Sequence, residues 1–447
     1  MKRLRLLGGT VIVISMFWLL GILFSSPTAE AATLNVVTGA DAIDNLNDQC
    51  QLSEAIQNIN DQFQTNDDCL AGDGNNDTIY LPVGTVTLSG DLPTIEQSVI
   101  VQGQGIGETV VDGDGQYTVF GSEGDSITDI SIYDLTISNY NEAAIGLSNS
   151  NVVLSGLEIT GITGVLSQQY GIILLNKTNG LSLNADISDV RIHDLEIDAN
   201  SIAHIIAISN SASNSGYNVS IENVTIANIN NASGSINTVI LGNGFFGNST
   251  GYFESTIRNL TINNISGAGS VNGVAGGSIM IEGTGESVAV YDIANTTITG
   301  ISSQSSMYGS GSSLALSTAA VNAAASATAT LQIRNSLFAN NLALGAPAGC
   351  QAVDVGVFFG DSQGESLTSI ISDGGNISDD NACIDFTDPT DQNNVDPADL
   401  MLGTLGDYGG PIPTIPLLPG SIAIDSGTTV AGLTTDARLF ANKLFRI

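Results

Sequence analysis

Three side chains of different acid–base character stand at equivalent points of a recurring hexad: His193, Glu222 and Arg258. An imidazole, a carboxylate and a guanidinium held close together make either an acid/base cluster or a small polar binding patch. The hexad explains how they could meet. It reads apolar, variable, Asn or Asp, then apolar-x-apolar. Its copies begin at Ile132, Ile192, Ile221, Ile257, Ile293 and Ile333, with a weaker copy at Leu154 that has Gly in the Asn slot. The variable residue before that slot points outward. Strands stacked in register about 4.8 Å apart would then make His193, Glu222 and Arg258 vertical neighbours. The plainer alternative is a solvated face with one charge ladder, which contributes little free energy.

The spacing of the copies points to the architecture. Their first residues lie 22, 38, 29, 36, 36 and 40 positions apart. One copy is too small to bury its own apolar row, so copies must stack. Parallel stacking pairs each short strand with those above and below and gathers the apolar residues into internal columns. Only the loops between strands then vary in length. A sharp corner between strands needs left-handed backbone, which Asn and Asp tolerate, and stacked amides can hydrogen-bond from coil to coil. The expected fold is all-β, a single-stranded parallel β-helix over residues 91–345. A β-sandwich also has short strands but gives no reason for an Asn in register at every repeat. The Ser-, Ala- and Gly-rich stretch 302–330 keeps strand alternation and reads as coils with small core residues.

Two chemistries on polysaccharides would make specific demands of such a scaffold. A lyase acting on uronates needs a base for the α-proton and cations for the carboxylate. The repeat region offers Lys177, Arg191, Arg258 and Arg334. A hydrolase needs clustered carboxylates with separated pKa values, and no such pair recurs at neighbouring repeats beside a His and an Arg. Phosphate-loop, zinc-protease and serine-hydrolase signatures are absent. The stretch Asp73-Gly74-Asn75-Asn76-Asp77 has D-x-N-x-D spacing, which makes Asp73, Asn75 and Asp77 candidate calcium ligands. Thr78 stands where a calcium loop has Gly, and no Glu stands at its twelfth position, so a turn is the competing reading. The acidic run 379–399 is a second calcium candidate.

Charge narrows the partners. The 10 Lys and Arg face 45 Asp and Glu, a formal net charge of −35. Such a surface repels phosphate backbones and anionic membranes, so nucleic acid is excluded as a partner. Acidic polysaccharides are disfavoured unless a cation bridges. High net charge also favours disorder, but 42% of residues are hydrophobic and recur with strand spacing.

Residues 1–31 read as a signal peptide. Lys2, Arg3 and Arg5 precede an uncharged run from Leu6 to Phe24, and Ala29-Glu30-Ala31 offers a cleavage site. The mature chain is then exported, without membrane insertion, and expected as a monomer. Export favours disulfides among Cys50, Cys69, Cys350 and Cys383. Of three possible pairings, the two neighbour pairs close the shortest loops and would staple each end of the chain.

A stacked-strand solenoid exposes apolar core and unpaired backbone at its ends, so the ends must be capped. From Leu52, apolar residues fall at Ala55, Ile56, Ile59 and Phe63, one helical face. Residues 32–90 read as an N-terminal cap in which that amphipathic helix lies across the first coil.

The stretch Cys50-Gln51-Leu52-Ser53-Glu54-Ala55-Ile56 resembles the CSLREA-type motif of exported bacterial β-helix proteins, with Gln51 and Ser53 in place of the usual Ser and Arg. The likeness continues through Cys69, Gly72-Asp73-Gly74 and Leu81-Pro82-Val83-Gly84. Residues 346–447 resemble a choice-of-anchor Q domain, on Leu405-Gly406-Asp407-Tyr408-Gly409-Gly410-Pro411 and Ala423-Ile424-Asp425-Ser426-Gly427. Ile415 replaces the family's His and Ile422 its Pro. No counterpart of the family's closing strand or sorting tail follows Arg438, so the domain is expected to be truncated or the chain released. The resemblance implies a right-handed parallel β-helix at the cell surface or outside the cell, and no established chemistry.

The expected role is binding or adhesion to a glycan or surface polymer. The alternative is a polysaccharide-degrading enzyme, either a pectate-lyase-like lyase or a glycoside hydrolase. A purely structural passenger is a third option. No cofactor is implied beyond possible calcium.

Overall fold

The computed structural model describes residues 31–447 except 45–46, 75, 125–127, 163–170, 198–202, 212–214, 247–249, 281–284, 306–312, 321, 355–363, 382, 384, 432, 434 and 439–447. The signal-peptide reading lies outside the described residues. Every described strand pairing along the stack is parallel from Thr33–Asn35 to Ile377–Ser378, apart from one short hairpin between Leu342–Ala343 and Ala346–Pro347. The described strands form one 19-stranded and one 8-stranded sheet. In the smaller sheet each strand pairs with its counterpart one coil away, for example Gly171–Lys177 with Ala203–Asn210 and that with Ile236–Phe246. In the larger sheet Ser150–Thr160, Leu183–Ile197, Gly216–Asn231 and Gly251–Gly267 stack in the same way. The chain is a parallel β-helix. Stacking extends on both sides of residues 91–345. The first coil begins at Thr33, and the last coil uses Glu365–Ser372 and Ile377–Ser378.

Long strands of the larger sheet turn two corners, because left-handed residues interrupt them at fixed places. The first corner falls at residues 134, 156, 189, 223, 259, 295 and 335, and the second falls five residues later, at 139, 161, 194, 228, 264, 300 and 340. All fourteen have φ between 49° and 74°, and all are Asn, Asp or Gly. These residue types lose least in that conformation. The corner register corrects one repeat. Ile159 pairs with Ile192 and Leu157 with Val190, so Asp189 and not Asp194 shares a corner with Asn223. The true copy is Ile187-Ser188-Asp189-Val190-Arg191-Ile192, and the steps become 22, 33, 34, 36, 36 and 40 residues. The misalignment arose because two corners carry the same residue types five positions apart, and a hexad search matches either.

The side chains at each corner form a directional ladder. Asn223 Nδ2 donates to Asp189 Oδ1 at 3.0 Å, and Asn259 Nδ2 to Asn223 Oδ1 at 2.9 Å. At the second corner Asn228 Nδ2 donates to Asp194 Oδ1 and Asn264 Nδ2 to Asn228 Oδ1, both at 3.0 Å. Each amide donates toward the N-terminal end, so the first rung needs an acceptor and no donor, which is what a carboxylate supplies. Below the first ladder stands Gly156. A Cβ there would lie 2.4 Å from Asp134 Oδ1.

Inside, the apolar columns are continuous: Ile132, Leu154, Ile187, Ile221, Ile257, Ile293 and Ile333 are all essentially unexposed. The Ala-rich stretch forms coils as expected, with Ala327 and Ala329 fully buried. Tyr217, Phe253 and Tyr291 stack through three coils with ring centroids 6.4 and 5.7 Å apart. Tyr291 Oη donates to Gly242 O at 2.7 Å and accepts from Gly277 N at 2.8 Å, which satisfies the buried phenol.

The cap helix is Leu52–Asp61. Leu52, Ala55, Ile56 and Ile59 join the same core as Leu34 and Ile79 of the first strands. Gln62 turns left-handed and ends the helix, so Phe63 departs from the expected buried face and is 68% exposed. The buried Glu54 accepts from Gln51 N at 3.1 Å and Asp44 N at 2.7 Å, tying the helix start to the preceding loop. The neighbour pairing of cysteines holds: Cys50–Cys69 closes the cap loop, and Cys350–Cys383 ties the last strand of the smaller sheet to the C-terminal region. Two disulfides fit an oxidising, extracellular environment. Among the described residues no helix is long and apolar enough to cross a membrane.

After residue 400 the chain folds back over the outside of the coils. Leu400 and Ala423 pack on Leu337, Ala339 and Ile377. Thr428 N donates to Asn335 Oδ1 at 2.6 Å while Asn335 Nδ2 donates to Thr428 O at 2.7 Å, so the returning chain takes the last amide of the first corner.

Candidate functional site

The face between the two corners carries an outward column that changes character along its length. In register it runs Thr136, Glu158, Arg191, Thr225, Thr261, Thr297 and Leu337. The apolar end, at Leu337, seats the C-terminal segment. Thr225 Oγ1 donates to Pro413 O at 2.6 Å, which marks where that segment begins to cover the face. The column is therefore open at Glu158 and Arg191 and roofed at Thr261 and Thr297.

The open half holds a charged cluster. Glu158 Oε1 lies 2.8 Å from Arg191 Nη2 and 3.0 Å from His193 Nε2. Glu158 Oε2 accepts from Thr136 Oγ1 at 2.8 Å. His193 Nδ1 is 2.9 Å from Asp194 Oδ2. Register accounts for the grouping: Arg191 lies beside Glu158, and His193 lies beside Thr160 on the same strand pair. The hydrogen bond to Glu158 raises the His193 pKa above its ordinary value, with Asp194 adding to it against partial burial. The same imidazole holds Glu158 and Asp194 below the ordinary carboxylate range. With both ring nitrogens facing carboxylates, the protonated imidazole donates twice and offers no lone pair to a substrate. As it stands the cluster presents fixed charge and hydrogen-bonding groups, not a free base.

The signs of these shifts define a pH window. A raised His193 pKa contributes stability that is complete below about pH 6.5 and is lost as the pH rises through the folded value. The lowered Glu158 and Asp194 values contribute stability present above about pH 4.5 and lost on acidification. His193→Gln should therefore abolish a fall in stability of about 0.5–1 kcal/mol on going from pH 6 to pH 8, measured by urea denaturation. A fall that persists unchanged in the variant would place the titrating group elsewhere.

The roofed half is a cleft of about 310 Å³ between the coils and the returning chain. Its floor is Asn259, Thr261, Asn295 and Thr297, and its wall includes Thr414, Pro416, Leu417, Ile424 and Arg438. Arg438 Nε donates to Asp436 Oδ2 at 3.0 Å. Thr414 is 7% exposed, and its Oγ1 has no hydrogen-bond partner among the described residues.

The structure brings Glu222 and Arg258 together in register, as their hexads imply, but not His193, which lies past the corner on the adjoining face. Arg258 turns away from Glu222. Its guanidinium meets Asp292, whose carboxylate also takes Arg334 Nη2 at 2.9 Å, and Arg334 Nη1 reaches Asp373 at 3.0 Å. Lys177 is fully buried, with Nζ donating to Asn179 O at 2.7 Å and Ser215 Oγ at 2.5 Å, and burial pushes its pKa down to about 8. All four cations that a uronate lyase could draw on are thus already engaged within the fold.

At the first calcium candidate, backbone groups already occupy the Asp77 carboxylate and tie it to the lead-in of the first strand. Asp77 is buried; its Oδ1 accepts from Ala32 N at 2.7 Å, and its Oδ2 from Asp73 N at 3.0 Å and Gly74 N at 3.2 Å. Asn75 lies outside the described residues. In the acidic run, Asp391 accepts from Asn376 N and Ser372 Oγ, and Asp396 caps the short helix Pro397–Leu400. Among the described residues no group of three or more His, Cys, Asp or Glu side chains is placed to hold a metal.

The sequence reading missed Glu158 and the four threonines of the column, and it named Arg191 only among the cations of the repeat region, not as the neighbour of Glu158. The signal that could have found them was the second run of Asn, Asp and Gly five residues after the first, which defines the strand between corners.

No described protein family matches the chain, and no curated protein sequence matches it. Among solved structures it is similar to the Azotobacter vinelandii mannuronan C-5 epimerase AlgE4 A-module. That similarity has 13% identity over 67% of this chain and 93% of the other, at a TM-score of 0.25. So low a likeness does not carry an activity across.

Proposed function

We propose that this chain is an extracellular β-helix that binds a glycan or surface polymer along the face between its two corners, without chemical turnover. The observation that carries the reading is an outward column that is open and charged at one end and roofed into a cleft at the other. A linear polymer fits a linear site, and Thr261 and Thr297 repeat a hydroxyl from one coil to the next within it. The committed state of His193, Glu158 and the basic residues supports binding over catalysis. The cap built on residues 50–56 supports membership of the exported CSLREA-type proteins, and the signal peptide and a surface location go with that reading.

The test is a glycan array followed by calorimetry on purified protein. Saturable binding to at least one polysaccharide class is expected, with no release of reducing ends or unsaturated uronates from a polysaccharide panel. Sustained release would overturn the reading in favour of a polysaccharide-degrading enzyme. An array with no bound glycan would favour a passenger without a ligand.

A further inference from the structure

We infer that the roofed cleft takes a neutral sugar unit and rejects a uronate, so that the glycan ligand is a non-acidic polysaccharide or oligosaccharide end. This rests on the reading of the face as a glycan site and specifies its chemistry. Three features of the cleft carry it.

The first is the unmet hydrogen-bonding group. Burying a hydroxyl without a partner costs free energy, yet Thr414 Oγ1 is buried at the cleft wall with none. The oxygen is enclosed in this structure, so a sugar hydroxyl reaches it as the Thr414 wall yields; it then serves the oxygen as donor or acceptor, whereas a carboxylate at that point only accepts. The second is the division of the lining. Thr261 and Thr297 floor one side, while Pro416, Leu417 and Ile424 form an apolar wall opposite. A pyranose ring has hydroxyl edges and a C–H face, and matches that division. A pocket of this size, mostly apolar with a few polar groups, is at the small end of those that enclose small ligands.

The third is charge. A uronate needs a cation, and the cation of the cleft, Arg438, is already committed to the Asp436 carboxylate through Nε and Nη2. Each floor amide spends one of its two N–H donors on the ladder, Asn259 Nδ2 to Asn223 and Asn295 Nδ2 to Asn259, and neither supplies the positive charge a carboxylate calls for. The formal charge of −35 adds long-range repulsion for any polyanion.

The experiment is calorimetric titration of the purified protein with a neutral oligosaccharide series and a uronate oligosaccharide series of equal length, at low and at physiological salt. The variant is Thr414→Val, which keeps the shape and removes the hydroxyl. Neutral oligosaccharides should bind, uronates should bind at least tenfold more weakly, and Thr414→Val should weaken neutral binding about tenfold. The variant should melt at the same temperature as the parent or higher, because the lost hydroxyl had no partner in the free protein. That separates a binding defect from misfolding. Thr297→Val is the second variant and should weaken binding in the same direction. Equal or tighter uronate binding, or unchanged neutral binding in both variants, would overturn the inference while leaving the glycan-binding reading in place. If neither series nor any arrayed glycan binds, the functional reading fails and the inference fails with it.

Discussion

Asn58→Ala should lower the stability of the whole chain by about 3–5 kcal/mol, an effect out of proportion to one surface-type residue. Asn58 is fully buried in the cap helix. Its two Nδ2 hydrogens are shared among the carbonyls of Asn66 at 2.9 Å, Cys69 at 3.1 Å and Leu70 at 3.1 Å, and its Oδ1 accepts from Asn66 N at 2.7 Å. One amide thus replaces the missing partners of a loop that no strand can pair. Alanine leaves several buried backbone groups unsatisfied at about 1–3 kcal/mol each, partly relieved by water entry. The loop braces the helix whose apolar face packs on the first strands, so its loss should expose apolar surface and unpaired strand edges. The expected result is a lower denaturation midpoint together with increased dye binding and self-association. A variant within 1 kcal/mol of the parent and fully monomeric would show that the cap does not seal the stack.

Asn259→Ala should cost about 3 kcal/mol and Asn259→Gly about 2. The corner has φ 53°, a conformation that costs alanine roughly 1 kcal/mol or more and glycine nothing. Both variants also lose two ladder bonds, the one Asn259 donates to Asn223 and the one it accepts from Asn295, at about 1 kcal/mol each. The difference between the variants reports the backbone and the shared loss reports the ladder. Guanidinium denaturation of the three proteins measures both. A glycine variant as stable as the parent would mean that the stacked amides contribute only their tolerance of left-handed backbone.

Much of this fold is written locally, and that is why it could be read. Ile221, Ile257 and Ile293 mark one internal column, Asn223, Asn259 and Asn295 mark one corner, and period-2 alternation with a fixed corner residue forces stacking. The helix over Leu52–Asp61 was legible from its apolar spacing, and the disulfides from the short loops they close. The misses share a physical cause. Asp194 was assigned to the wrong corner because both corners ask the same thing of a residue, so side-chain chemistry could not distinguish them. Phe63 was given to the helix face because apolar spacing does not register a left-handed stop at Gln62. The site lay further out of reach. Glu158 and His193 are 35 residues apart, and their contact depends on the length of an intervening loop. The cleft depends on where residues 413–438 return, and no local pattern announces that Thr225 will meet Pro413.

The central claim is that corner residues of successive coils touch, so that the strand between corners presents one continuous face. A double-mutant cycle at Asn223 and Asn259 tests it most directly. Asn223→Gly, Asn259→Gly and the double variant keep the left-handed backbone and remove only the amides. Contact between the two side chains predicts a coupling energy of about 0.5–1 kcal/mol in denaturation. Losses that add to within about 0.3 kcal/mol would mean that the two residues do not share a corner, and the face built on that register would not exist.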